Sequence, residues 1–268
     1  MVTATIISLF AIWASIINHF IWMMAGLALI TLIVISLACN FLDNRPFRDM
    51  GFSLNSRWLK DFGAGILIAA IVMSLITFIL WMFGFLHITA NSNASLNADF
   101  IRAVTGLLIL MITVSVWEEI YFRGYLIKNL QEGFTSKKSK SLYPIISAVL
   151  ISSILFGIAH TSNPNSTLLS FINITVAGIV LAYPYIYSKS MSISVGLHLS
   201  WNYFQGVVYG MPVSGLALET SFFRASITDP QFLTGGQFGP EGGAFGFLGL
   251  LVMALFCSIY LHYIREVK

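Results

Sequence analysis

The sequence contains few charged residues for its length. Only 9% of its 268 residues are Asp, Glu, Lys or Arg, whereas a soluble domain has about 25%. Apolar residues make up 57% of the chain, and its mean hydropathy is +0.84. Because so little charge is available to cover a surface in water, most of the surface must face lipid. We therefore expect an all-α, polytopic transmembrane helix bundle in which residues 1–268 form a single integral membrane domain.

Other scarce features exclude further classes of protein. The only two cysteines, Cys39 and Cys257, lie far apart in apolar segments, so no disulfide framework is predicted. The net charge is only +3, and no basic cluster of the kind that binds nucleic acid is present, so we expect no nucleic-acid partner. The first residues lack a basic region, and apolar sequence continues to Leu42, so we expect no cleavable signal peptide.

Apolar segments of roughly membrane-spanning length recur along the chain. They are 62–84, 101–127, 143–160, 166–187, 191–209 and 244–264. The first 42 residues form either one long tilted span or two spans, so we expect seven or eight helices. The long loop 210–243 is rich in glycine, which is typical of a flexible lid or, as the simpler expectation, of a plain connector.

Lysine and arginine alternate between successive loops. They lie in 45–60 and 128–140, at Lys189 and in the last four residues, whereas loops 85–100 and 161–165 have none and loop 210–243 has only Arg224. The positive-inside rule then places the basic loops and the C-terminus in the cytoplasm. We expect the plasma (cytoplasmic) membrane as the location.

Two adjacent acids, Glu118 and Glu119, follow the apolar stretch that begins at Ile101. By insertion scales each carboxylate costs roughly 2.5–3.5 kcal/mol at the centre of a spanning helix, so such residues indicate a functional site. Arg123 lies four residues after Glu119, the favourable spacing and order for an ion pair on a helix. Glu118 points about 100° away on the same helix and needs a different partner.

Three further polar residues stand in the later spans: His160, His198 and Asn202. The last two are four apart and project from one helix face. Each alone is explained by ordinary hydrogen bonding in a helix, but together with the glutamates they favour one intramembrane site. A carboxylate beside an imidazole can take a proton from water, and a second imidazole and an amide can stabilise an oxyanion, as in amide hydrolysis.

Neither a nucleophile motif nor a metal motif accompanies these residues. No G-x-S-x-G is present, and neither cysteine lies near the histidines in sequence. Zinc is an alternative cofactor because Glu and two His are common zinc ligands. The H-E-x-x-H signature is absent, so the spacing does not support a metal, and the simplest interpretation requires no cofactor.

The motifs Glu118-Glu119-x-x-x-Arg123, Phe156-x-x-x-His160 and His198-x-x-x-Asn202 resemble the three-motif signature of the CPBP family. This family comprises CAAX proteases and bacteriocin-processing proteins, formerly called the abortive-infection family, and includes the type II CAAX prenyl endopeptidases. The string Glu-Glu-x-x-Phe-Arg-Gly, which ends at Gly124, strengthens the resemblance. The resemblance implies an intramembrane endopeptidase whose catalytic core, at about 101–209, opens towards the cytoplasm.

The resemblance also implies a role for each motif residue. Glu118 and His160 would activate the attacking water, whereas His198 and Asn202 would stabilise the oxyanion. Glu119 and Arg123 would support and orient these groups. The family has been described both as metalloendopeptidase-like and as using a glutamate without metal, and the sequence leaves both open.

Alternative functions remain at this stage. The expected substrate is a peptide or protein in the membrane, lipidated or not, but a non-catalytic partner such as a bacteriocin-immunity or scaffold protein has the same composition. A proton-relaying transporter agrees less well with the sequence, because transporters often have interrupted helices in paired positions and the sequence shows no such pairing. Counted along straight helices, His160 lies ~25 Å and His198 ~10 Å from the inner edges of their spans, so the two meet only if helices tilt or start elsewhere.

Overall fold

The computed structural model describes residues 20–92, 94, 97–135, 142–228 and 230–264. This part of the chain is mostly helical, as expected. The question of one or two spans in residues 1–42 falls partly outside it, because the described helix there begins at Phe20. The C-terminal residues 265–268 also lie outside the described residues.

The helices follow the apolar segments of the sequence closely. They are α1 Phe20–Phe41, α2 Ser56–Met82, α3 Ala98–Glu119, α4 Ile127–Phe134, α5 Tyr143–Ala159, α6 Leu168–Ser188, α7 Ser192–Asn202, the short α8 Gln231–Thr234 and α9 Ala244–Ile259. Helices α3, α7 and α9 each continue into a π-helical segment, at Ile120–Leu126, Tyr203–Val208 and Tyr260–Ile264. The first of these joins α3 and α4 into one continuous helix.

Four of the described helices are long and apolar enough to cross a membrane. They are Ser56–Met82, Ala98–Phe134, Leu168–Ser188 and Ala244–Tyr263. Ala25–Phe41 and Tyr143–Ala159 are shorter apolar helices. This composition agrees with an integral membrane protein, whereas the predicted number of seven or eight spans is not established by these helices.

Helix α7 is shorter than the apolar span predicted at 191–209 and does not face lipid. Every residue from Ser192 to Trp201 is buried, so this helix is enclosed by its neighbours. Two glycines allow it to lie directly against α2: a Cβ on Gly196 would lie 2.3 Å from the Phe62 carbonyl oxygen, and one on Gly65 would lie 2.5 Å from that of Ile193. Small residues permit such close approach of two helix backbones.

The loops carry more structure than the sequence predicts. Strand β1, Leu86–Ala90, pairs antiparallel with β2, Phe223–Ile227, so the described chain is not purely helical. The long loop 210–243 folds back into the protein, because Asn173 Nδ2 donates hydrogen bonds to the carbonyl oxygens of Glu241 (2.8 Å) and Gly243 (2.9 Å). The expectation of a plain connector is therefore wrong for this loop.

Candidate active site

The adjacent acids lie where α3 passes into its π-helical segment. Such segments replace the i→i−4 bonding of the helix and occur frequently at functional sites. Arg123 Nη1 lies 3.1 Å from Glu119 Oε1, so the predicted ion pair is present. Both side chains are almost fully buried, with exposed fractions of 0% and 1%. Each charge is therefore compensated by the other, because neither side chain reaches water.

His198 on α7 is held between the two acids. Its Nδ1 lies 2.9 Å from Glu119 Oε1, and its Nε2 lies 3.7 Å from Glu118 Oε2. An ionised carboxylate can only accept, so the hydrogen of this ring is on Nδ1 and is donated to Glu119. His198 is also the partner that Glu118 lacks on its own helix.

Phe156 on α5 packs among the polar side chains. The guanidinium carbon of Arg123 lies 4.3 Å from the centre of its ring, a cation–π contact that helps to offset burial of the charge. The same ring contacts the rings of His160 and His198 edge-on, with centroid distances of 4.7 and 6.2 Å. An apolar side chain thus fixes the positions of three charged or titratable groups.

His160 terminates α5, and a backbone contact fixes its tautomer. Its Nδ1 lies 2.8 Å from the carbonyl oxygen of Phe156. A carbonyl oxygen can only accept, so Nδ1 carries the hydrogen. In the neutral ring Nε2 therefore keeps its lone pair and can accept a hydrogen bond from a water molecule.

Four of the six predicted site residues line one cavity of about 530 Å³: Glu118, His160, His198 and Asn202. Apolar side chains form most of the remaining wall, among them Leu110, Met111, Trp117, Leu218, Leu250 and Met253. Glu119 and Arg123 are not part of the lining and lie behind it, in contact with His198 and Phe156. His160 and His198 thus line the same cavity. Because α7 is enclosed by its neighbours, the depth of His198 cannot be counted from an end of α7 at the membrane surface.

Glu241, in the long loop, also lines this cavity and was not predicted from the sequence. Its Oε1 accepts a hydrogen bond from the backbone N–H of Ser214 (2.5 Å), and Gln205 Nε2 donates to its Oε2. The side chain is buried, and burial raises the pKa of Glu241 to about 7. The only signal in the sequence was an acid isolated in a glycine-rich segment, which is too weak to select a residue.

The donor set does not resemble a metal centre. Within the described ranges, no group of three His, Cys, Asp or Glu side chains is placed to hold a metal ion. The zinc alternative therefore has no supporting geometry among the described residues.

Comparison with known proteins adds independent information about the family. Residues 100–204 match the family model described as "Rce1-like: Type II CAAX prenyl endopeptidase Rce1-like". This region contains all three motifs, so the match confirms their resemblance to this family over residues 100–204. The match supports a protease function in general, but it does not support the metalloendopeptidase-like character considered from the sequence. No curated protein and no solved structure matches the chain significantly.

Proposed function

We propose that this protein is an intramembrane endopeptidase that hydrolyses a peptide bond in a membrane-associated substrate. The observation that carries the proposal is the convergence of Glu118, His160, His198 and Asn202, from three helices, on one largely apolar cavity. The lining of this cavity is mostly apolar, so its few polar groups act more strongly on a bound substrate than they would in water.

Glu118 and His160 are the acceptors for the attacking water. Glu118 Oε2 is buried and has no hydrogen-bond partner among the described residues. The Nε2 lone pair of neutral His160 is the second acceptor. A water molecule that donates one hydrogen to each group presents an oxygen lone pair to the scissile carbonyl carbon, and its proton passes to Glu118 as the new C–O bond forms.

Asn202 and His198 stabilise the oxygen that becomes negative. The amide of Asn202 is a donor in any protonation state. His198 already donates Nδ1–H to Glu119, so its Nε2 donates to the oxyanion only when the ring is an imidazolium. When the tetrahedral intermediate collapses, the C–N bond breaks, and the proton on Glu118 passes to the leaving nitrogen.

Glu119 and Arg123 are positioning residues in this scheme. Glu119 Oε1 contacts both His198 Nδ1 and Arg123 Nη1, so one carboxylate sets the orientation of the ring that faces the cavity. Arg123 in turn compensates the charge of Glu119. The proposal requires no cofactor, and it places the protein in the plasma membrane with the basic loops and the C-terminus in the cytoplasm.

The experiment is cleavage of a peptide library, with prenylated and unmodified members, by the purified protein in detergent. We expect products that differ from the substrate by one added water across one peptide bond, and cleavage that survives a chelator. Loss of cleavage with chelator would instead assign Glu118 and the histidines to a metal. If no member of either half is cleaved, the non-catalytic interpretation is favoured.

A further inference from the structure

A second cavity of about 520 Å³ lies apart from the candidate active site. It is formed by the 3₁₀ turn Phe47–Met50, by α4 and by the C-terminal end of α6. Its polar lining includes Arg48, Lys128, Gln131, Thr135, Tyr185 and Lys189. No step of the proposed hydrolysis uses these residues.

The backbone holds the two sides of this cavity together. The N–H of Met191 donates a 3.0 Å hydrogen bond to the carbonyl oxygen of Gly51, which follows the 3₁₀ turn. Gly51 has a φ of 85°, and a Cβ there would lie only 3.0 Å from the carbonyl oxygen of Lys189. A glycine in the left-handed region thus allows the turn to lie directly against the end of α6. The backbones of Arg48 and Lys189 are thereby held next to one pocket.

The charges around the cavity do not balance. The count includes the lining residues, Arg45, which binds the lining residue Glu132, and Asp43, which lies 3.9 Å from Arg45; this group has four cations and three anions, and so a net charge of +1. The cations are Arg45, Arg48, Lys128 and Lys189, and the anions are Asp43, Asp49 and Glu132. Arg45 binds Glu132 at 2.5 Å, and Lys128 lies 3.8 Å from Asp49. Arg48 and Lys189 have no anionic partner among the described residues.

Two further features indicate a site for an anion. The Tyr185 side chain is only 6% exposed and lines the cavity, and its hydroxyl has no hydrogen-bond partner in the described chain, so it is available as a donor. Lys189 caps α6 with a φ of 55°, a conformation that glycine or asparagine adopts more easily. Backbone preference therefore does not account for a lysine at this position.

The surrounding aromatic residues place the cavity at the level of a membrane surface. Phe134 ends α4, Tyr143 begins α5, and Tyr187 lies in the last turn of α6. All three are exposed, at 37%, 63% and 37%. Exposed aromatic side chains at helix ends are typical of the interface between the hydrocarbon and water, where lipid headgroups lie.

From these observations we propose that the cavity binds the phosphodiester group of an anionic phospholipid headgroup, with Arg48, Lys189 and the Tyr185 hydroxyl as its donors. A phosphodiester carries one negative charge and so balances the net +1 of the site. Basic pockets between transmembrane helices are known to bind lipid headgroups in this way. The proposal is independent of the proposed hydrolysis.

The test is native mass spectrometry of the delipidated protein with phosphatidylglycerol or phosphatidylcholine, and a competition arm with inorganic phosphate. The variants are Arg48→Gln, Lys189→Asn and the double variant, and the matched control is Lys60→Gln, an exposed cation outside the cavity. Asparagine tolerates the left-handed conformation, so Lys189→Asn removes the charge without backbone strain. Gel filtration checks that each variant is folded.

We expect preferential binding of phosphatidylglycerol, weakened about fivefold by each cavity variant and about 25-fold by the double variant, as follows from ~1 kcal/mol for each basic residue. Competition by inorganic phosphate, with the same loss in the variants, would support a phosphate site but assign it to a soluble source. The proposal is overturned if neither phosphatidylglycerol nor phosphate binds, if the cavity variants bind as tightly as the wild type, or if Lys60→Gln weakens binding equally.

Discussion

Among single residues, the proposed hydrolysis depends on buried ring nitrogens whose hydrogen-bond partners the structure identifies. The Nδ1 hydrogen of His160 is donated to one backbone carbonyl, and the Nδ1 hydrogen of His198 is donated to Glu119. Neither assignment follows from residue type alone. Both rings therefore leave Nε2 for the cavity. In the proposed hydrolysis Nε2 of the neutral His160 ring accepts from water, whereas Nε2 of His198 donates to the oxyanion as part of an imidazolium.

Glu241 provides a pH-dependent prediction for stability. Burial raises its pKa in the folded protein to about 7, above the usual 4.5 of an unfolded chain. Between pH 4.5 and 7 the unfolded chain releases this proton while the folded protein keeps it, so the free energy of unfolding falls as pH rises through this window, by about 3 kcal/mol. We expect the Tm of the wild type in detergent to fall more between pH 5 and pH 8 than that of Glu241→Gln.

The control for this prediction is Asp99→Asn, because Asp99 is an exposed acid on α3 in a surface ion pair with Arg102. Its Tm profile should follow that of the wild type. Equal pH dependence of Tm in the wild type and in Glu241→Gln would show that the carboxyl of Glu241 is not the titrating group.

At the scale of elements, the contact of α2 with α7 positions the proposed oxyanion donors. His198 and Asn202 follow Gly196 on α7, and the Cβ of an alanine at 196 would lie 2.3 Å from the Phe62 carbonyl oxygen. Because backbone atoms cannot move aside as a flexible side chain can, α7 must shift. The site therefore depends on a glycine that contacts neither the cavity nor a polar side chain.

Gly196→Ala should accordingly lower stability by about 1–3 kcal/mol, as overpacking does in a dense core, and reduce any cleavage activity. Gly63→Ala on α2 is the matched control, since a Cβ there meets nothing within 4 Å. Alanine is the better helix former, so this variant should be neutral or slightly stabilised. Denaturation in mixed micelles measures both. Equal stability of the two variants would contradict the close packing of α2 and α7.

The elements also show what the sequence could and could not predict. The length of the apolar segments predicts α2, α3, α6 and α9. A segment that crosses lipid must form all its backbone hydrogen bonds internally, and a helix does this. Spacing predicts the Glu119–Arg123 pair because both residues lie on one helix. Composition cannot distinguish lipid from protein surroundings, so the sequence predicts a span at 191–209 but not that α7 is enclosed by other helices.

Contacts between residues far apart in the chain could not be predicted from local sequence patterns. The pairing of Leu86 with Ile227 joins two loops that are far apart in the chain. The entry of Glu241 into the cavity likewise depends on hydrogen bonds from Ser214, Gln205 and Asn173, on three different segments. Periodicity within one segment contains no information about such partners.

At the scale of the whole molecule, the orientation in the membrane is a prediction from the loop charges. Ser53→Cys tests the basic side and Ala217→Cys the opposite side, and both positions are exposed. The native Cys39 and Cys257 are buried, so their background labelling should be low. On intact cells a membrane-impermeant maleimide should label only Ala217→Cys, and Ser53→Cys should react only after permeabilisation. The reverse pattern would invert the orientation.

If Glu118 activates water in the cavity, hydrolysis depends on its carboxylate, and the rate of Glu118→Gln measures that dependence. The amide keeps the shape of the side chain but cannot take up a proton. With a substrate from the peptide library, kcat should fall by about 10²- to 10⁴-fold, the range for loss of a general base, while KM changes little. A kcat within a few-fold of the wild type would contradict the account, because Glu118 would then contribute to packing rather than to hydrolysis.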